Sequence, residues 1–317
     1  MWHASGERSG VSGVRRGFVL GAGGVLGAAW MTGALCALAE QRGVRPAQAD
    51  LVVGTSAGSV LAAMLACGLT PEHLRDHQLG LPLPEGLSVA WDHETATGGW
   101  LPQRPGRPPA SGALLRRAVR RRDLPWPTVL FAALPPGRGS LASLHAAVEA
   151  AVAGRGWPHP GLRICATDFA TGERRVFGPG DRVSLADAVV ASCSAPVWYA
   201  PVQIDGRTYV DGGVAAVTSA DLLADAELDE AWVLAPLAAT EPDRPHALAE
   251  RLERRWRRRT TRRVLAEVDA ARAGGTSVEL LTPGPEDLGV IGANLMDPRR
   301  RVAVVESALR TTAAVLR

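Results

Sequence analysis

Three features of this chain have residue types and spacing that could do chemistry together. The first is Ser56, at the centre of Gly54-Thr55-Ser56-Ala57-Gly58. A serine in a G-x-S-x-G pattern, between a strand and a helix, sits at the apex of a sharp turn that exposes its hydroxyl. Side chains two residues either side of the serine would collide, so Gly54 and Gly58 suit that turn. The second is Asp211, followed by Gly212 and Gly213 at the end of a strand-like run. A carboxylate can act as general base for a hydroxyl within hydrogen-bond reach. The third is Gly21-Ala22-Gly23-Gly24-Val25-Leu26-Gly27. Successive N–H groups of Gly23, Gly24 and Val25 at a helix start could hold a developing oxyanion. The first two also have plain readings, a chance match in a chain rich in Gly, Ala and Ser and a turn-forming Asp-Gly pair, and the glycine run has to be weighed against phosphate- and dinucleotide-binding loops.

Other chemistries find less support. The 35 basic residues are all arginine, so no lysine mechanism is available. The glycine run lacks the G-K-[ST] of a P-loop, and Leu26 stands where a dinucleotide-binding fingerprint needs its third glycine. The 7 histidines lie mainly in the tail, a Pro-rich region and loops. His246 is the best histidine candidate for a base, because it follows serine and aspartate in chain order. The 4 cysteines, Cys36, Cys67, Cys165 and Cys193, have no C-x-x-C spacing and read as buried free thiols, with no metal set and no cofactor expected.

The elements that must position these residues follow from hydrophobic patterning. Phe18-Val19-Leu20 and Leu51-Val52-Val53 read as short buried strands, each followed by a loop and a helix. Two successive β-loop-α units predict a mostly parallel sheet covered by helices. Leu162–Thr167 reads as a strand returning at Arg174–Phe177, and Asp205-Gly206 as a hairpin turn leading to Asp211. Later strands are expected at Trp232–Leu234 and Val278–Leu281, and helices at Leu141–Val152, Ala247–Ala273 and Arg301–Leu316. A chain of 317 residues, 46% hydrophobic and with net charge +3, fits a globular protein with one large domain or two modest ones. We expect a disordered tail at 1–15 and a single domain at 16–317. Within it, a Pro- and Trp-rich insertion at about 79–139 could form a lid. Trp91, Trp100 and Trp126 lie in that insertion.

Taken together, these motifs resemble the patatin-like phospholipase family. The resemblance spans roughly Phe18 to Gly213 and includes Ala191-Ser192-Cys193-Ser194-Ala195-Pro196 before the hairpin. It implies a three-layer α/β/α fold and a serine acyl hydrolase with a Ser56–Asp211 dyad. It further implies an oxyanion hole at Gly23, Gly24 and Val25, with Gly27, Gly54, Gly58 and Gly212 as supporting glycines. The chain departs from the family at Leu26, where Arg or Lys is often found, so an uncharged acyl ester or thioester is favoured over a phospholipid head group. Acyl transfer and non-catalytic lipid or partner binding are the alternatives.

Two further expectations concern surroundings. The arginines from Arg251 to Arg263 surround Trp256. They read as a solvated helix face partly balanced by Glu250, Glu253 and Glu267. Peripheral contact with an anionic membrane is the alternative, and no nucleic-acid partner is expected. Arg15-Arg16 before an apolar stretch ending in Ala37-Leu38-Ala39 has the form of a twin-arginine export signal. Cleavage there would remove the glycine loop, so a cytoplasmic protein is the expectation.

Overall fold

Strand β1 (Arg16–Leu20) is paired on both edges by parallel neighbours, β2 (Leu51–Thr55) and β7 (Glu230–Leu234). Such a strand is covered on both faces, which explains the unbroken apolar run Phe18-Val19-Leu20, all at 0% exposure. The computed structural model describes residues 13–84, 112, 115–116, 137–241 and 243–317. Most of the expected tail and most of the Trp-rich insertion, including Trp91, Trp100 and Trp126, lie outside the described residues.

Among the described residues the sheet has eight strands, bonded in the order β5-β6-β3-β2-β1-β7-β8, with β4 paired to β3. The remaining strands are β3 (Leu162–Asp168), β4 (Arg174–Phe177), β5 (Val202–Ile204), β6 (Arg207–Asp211) and β8 (Ser277–Leu281). Strands β1, β2, β3, β7 and β8 run parallel, whereas β4, β5 and β6 join by antiparallel pairing.

Alternate side chains sort onto two cores. Phe18, Leu20, Val52 and Ile164 face one side, packed by α1 (Gly24–Arg42), α2 (Ala57–Ala66), α3 (Pro71–Leu79), α4 (Ala142–Val152), α5 (Leu185–Cys193) and α8 (Arg301–Val315). Val19, Val53, Cys165 and Val233 face the other side, covered by Val264, Val268 and Ala271 of the long helix α6 (Leu248–Ala273). The result is the expected three-layer α/β/α arrangement.

Sequence reasoning missed α3 and the short α7 (Pro285–Ile291). In α3 the polar run Pro71-Glu72-His73 hides a start signal. Thr70 and His73 cap each other's backbone N–H groups there, and Pro71 occupies the first turn. No helix among the described residues is long and apolar enough to cross a membrane.

Candidate active site

Strand β3 brings the two ends of the site together. Along one edge β4 pairs with it from Ile164 to Thr167. The opposite edge is shared. Strand β2 pairs as far as Cys165↔Thr55, and β6 takes over from Ala166↔Asp211. Where β2 ends at Thr55, the next residue is Ser56, and it meets the last residue of β6. The Ser56 hydroxyl donates to Asp211 Oδ2 at 2.5 Å. The other carboxylate oxygen accepts the Gly213 N–H at 2.7 Å.

The turn at Ser56 is strained. Its φ of 51° and ψ of −121° lie outside the regions open to most L-residues, a state of order 1–3 kcal/mol above a relaxed backbone. Packing enforces it. A Cβ on Gly58 would lie 1.9 Å from the Leu20 carbonyl oxygen, so α2 can approach β1 this closely only with glycine there. Gly54, Gly27 and Gly212 also face close neighbours, namely Ser59, Pro236 and the Cys165 carbonyl.

Several buried groups hold the turn, and sequence reasoning assigned none of them a role. Ser192, on α5, accepts the Ser56 N–H at 2.8 Å and donates to the Cys165 carbonyl at 2.6 Å. Ser59 and Cys193 both donate to the Ser56 carbonyl. Thr167 donates to the Asp211 carbonyl at 2.9 Å, and Asp211 N–H donates to the Ser194 carbonyl. The signal available was the small-residue run Ala191–Pro196, but only the fold shows what it bonds.

Ser56 and Asp211 are 8% and 7% exposed. Burial pushes the Asp211 carboxyl up from its ordinary value to about 6, against the opposing pull of its bonds from Ser56 and Gly213. The carboxylate is therefore a stronger base than its residue type suggests.

The glycine loop lies on the same cavity. Gly23 precedes α1, and Gly24 opens it with φ +62°, the left-handed conformation that favours glycine. The Leu26 N–H is taken by the Leu295 carbonyl and that of Gly27 by the Gly23 carbonyl. No acceptor among the described residues takes the N–H of Gly23, Gly24 or Val25. Leu26 itself is fully buried in the core.

The cavity has a volume of about 450 Å³, within the range of small-molecule sites. It is walled by Ser56, Asp211 and the glycine loop at one part, and by apolar side chains of α2, α3 and α4, such as Leu61, Met64, Leu74 and Leu144, at another. Among the described residues no arginine lines it. Gln78 Oε1 and Trp198 Nε1 belong to wall residues and have no hydrogen-bond partner among the described residues.

Among the described residues the Ser56 hydroxyl bonds to no histidine. His246 is exposed just before α6, and His77 lines the cavity from α3. His145 pairs with Asp187, and His159 accepts from the Gly161 N–H. The four cysteines are free, but Cys67 and Cys193 are half-buried and only Cys36 and Cys165 fully so, which corrects the expectation for two of them. Among the described residues no group of three or more His, Cys, Asp or Glu could hold a metal.

The family model of patatin-like phospholipases matches residues 18–224, a span that holds Ser56, Asp211 and the glycine loop. The chain belongs to the patatin-like phospholipase family. The family points to a lipid acyl hydrolase, and this patatin-like chain places Ser56, Asp211 and the glycine loop on one apolar cavity. Among solved structures it is similar to VipD from Legionella pneumophila, with 14% identity over 96% of this chain and 67% of that one, at a TM-score of 0.46. It is also similar to the type III effector protein ExoU, with 19% identity over 95% of this chain and a TM-score of 0.37. It spans only 53% of ExoU's length.

Proposed function

We propose that this patatin-like protein is a serine acyl hydrolase that cleaves uncharged acyl esters through an acyl-enzyme, with Ser56 as nucleophile and Asp211 as base. The observation that carries this reading is the 2.5 Å bond from Ser56 Oγ to Asp211 inside an apolar cavity.

A serine hydroxyl is a weak nucleophile until its proton is taken. Asp211 is bonded to that proton already, and its raised basicity suits the task. As Ser56 Oγ attacks the ester carbonyl carbon, its proton passes to Asp211 Oδ2. The carbonyl oxygen becomes an oxyanion, for which the unpaired N–H groups of Gly23, Gly24 and Val25 are the donors. Each such donor typically contributes on the order of 10²–10³ in rate. Collapse of the intermediate expels the alcohol, which takes the proton from Asp211. Water, deprotonated by the same carboxylate, then attacks the acyl carbon, and the bond to Ser56 Oγ breaks as Asp211 returns the proton to that oxygen, releasing the acid and restoring the serine.

The apolar wall formed by α2, α3 and α4 suits the acyl chain. The lack of an arginine among the described residues of that wall, and the burial of Leu26, favour a neutral ester over recognition of a phosphate.

The test is labelling with a fluorophosphonate and hydrolysis of p-nitrophenyl esters by the wild type, Ser56→Ala and Asp211→Asn. The wild type is expected to label at Ser56 and to hydrolyse esters, and both variants to lose turnover. Equal labelling of Ser56→Ala, or full activity of Asp211→Asn, would overturn the assignment.

A further inference from the structure

The long helix α6 divides its arginines in a way the sequence conceals. Arg254 and Arg257 point inward, at 5% and 1% exposure. Arg254 bonds Asp243 and Glu253, and Arg257 bonds Glu253 and the Pro236 and Ala238 carbonyls. Those two therefore leave the surface cluster.

Two of the three acids expected to balance the cluster leave it as well. Glu253 is consumed by the two buried arginines. Glu267 turns inward to accept from Thr218 and the Ala220 N–H.

What remains exposed is one-sided. Arg251, Arg255, Arg258, Arg262 and Arg263 are exposed and make no ion pair within the described residues. Between them runs an apolar stripe at i, i+4 and i+8. It comprises Leu248 at 70%, Leu252 at 59% and Trp256 at 36% exposure. At 3.6 residues per turn these eight positions share one arc of about 160°. From Arg251 to Arg263 that arc carries no carboxylate. Trp256 also lines the cavity that holds Ser56. The stripe therefore ends on a residue of the cavity wall.

We infer that this face of α6 docks the protein on an anionic lipid surface, with Leu248, Leu252 and Trp256 entering the interface and the flanking arginines meeting acidic head groups. An amphipathic helix with apolar side chains on one strip and arginines beside it has the form of an interfacial helix. Charge complementarity selects an anionic surface, and the exposed leucines and tryptophan select lipid over a phosphate backbone in water. Docking in this pose sets the cavity wall at Trp256 against the bilayer, where a neutral acyl ester would be dissolved. That consequence rests on the proposed hydrolase reading, whereas the docking itself does not.

The experiment is co-sedimentation of the full chain, in the Ser56→Ala form, with phosphatidylcholine vesicles with and without phosphatidylglycerol. A single-stranded oligonucleotide serves as competing ligand. The protein is expected to sediment with the phosphatidylglycerol vesicles only, and less so as salt is raised. Replacing Arg251, Arg255, Arg258 and Arg262 by Gln, or Leu248 and Leu252 by Ser, should each lower that binding at least about tenfold. In the Ser56 background both variants should keep the wild-type melting temperature and the wild-type hydrolysis of a soluble short-chain ester. Equal binding to both vesicle types, unchanged binding by the arginine variant, or binding of the oligonucleotide without the vesicles would each overturn the inference. Loss of soluble esterase activity with intact vesicle binding would instead count against the hydrolase reading alone.

Discussion

Ser56 and Asp211, 155 residues apart in the chain, share a 2.5 Å hydrogen bond because β6 takes over the edge of β3 at the residue where β2 leaves it. The same carboxylate is buried and held at about 6 by desolvation. Function and stability are therefore coupled at one group, with opposite signs.

The first prediction follows from that coupling. Base catalysis needs the ionised carboxylate, so kcat/KM should rise with pH through an apparent pKa near 6 and level off above it. The folded-state pKa lies above the unfolded value, so the folded state binds this proton more tightly. The group's stabilising contribution is complete below the ordinary carboxylate pKa. It is lost as pH rises through about 6. At pH 8 the buried charge disfavours the fold by about 3 kcal/mol, at about 1.4 kcal/mol per pKa unit. Asp211→Asn should therefore be inactive yet melt several degrees higher than the wild type at pH 8, with the gap closing near pH 4. A variant that melts lower than the wild type at pH 8 would contradict the assigned desolvation.

Ser192 should behave as a positioning residue. Ser192→Ala would leave the Ser56 N–H and the Cys165 carbonyl without partners, a loss of roughly 1–3 kcal/mol in stability. Relaxation of the Ser56 turn should lower kcat by on the order of 10- to 100-fold while KM for a short-chain ester stays near the wild-type value. Steady-state kinetics separate this from a purely structural role, which would lower the melting temperature and leave kcat of the folded fraction intact.

Leu144 lies on the cavity wall from α4. Leu144→Trp should shorten the space available to an acyl chain, at a packing penalty of about 1–3 kcal/mol. Hydrolysis of long-chain p-nitrophenyl esters should fall relative to acetate or butyrate. An unchanged chain-length profile would show that the acyl chain lies elsewhere.

Neighbouring arginines on α6 should differ sharply. Arg257→Gln removes a buried cation from Glu253 and from two carbonyls of the segment beside the glycine loop, and should destabilise by about 3 kcal/mol or more. Arg258→Gln alters an exposed side chain and should stay within about 0.5 kcal/mol. Urea unfolding of the two variants measures the contrast.

Much of the site was legible in the sequence, because its parts are local. The turn at Ser56 needs small residues at Gly54 and Gly58 for steric reasons that act within a few residues. The hairpin at Asp205-Gly206 and the glycine loop before α1 are likewise encoded where they stand. The capped start of α3 was missed because its polar first turn carries no apolar periodicity.

What the sequence could not contain is contact between distant segments and the orientation of like residues on one helix. The bond between Ser56 and Asp211 depends on the register of three strands, and the basicity of Asp211 depends on everything packed around it. Ser192 bonds across the turn only once α5 lies on β3 and β6. Between Arg251 and Arg263 one-letter codes made eight equivalent arginines and a set of balancing acids. Burial then turned Arg254, Arg257, Glu253 and Glu267 inward, because a charge in the interior must be paired while a charge at the surface need not be. The local sequence determined the turn and the glycine loop. The tertiary structure decided which groups share a proton, which hold the Ser56 turn in place, and which charges face the solvent.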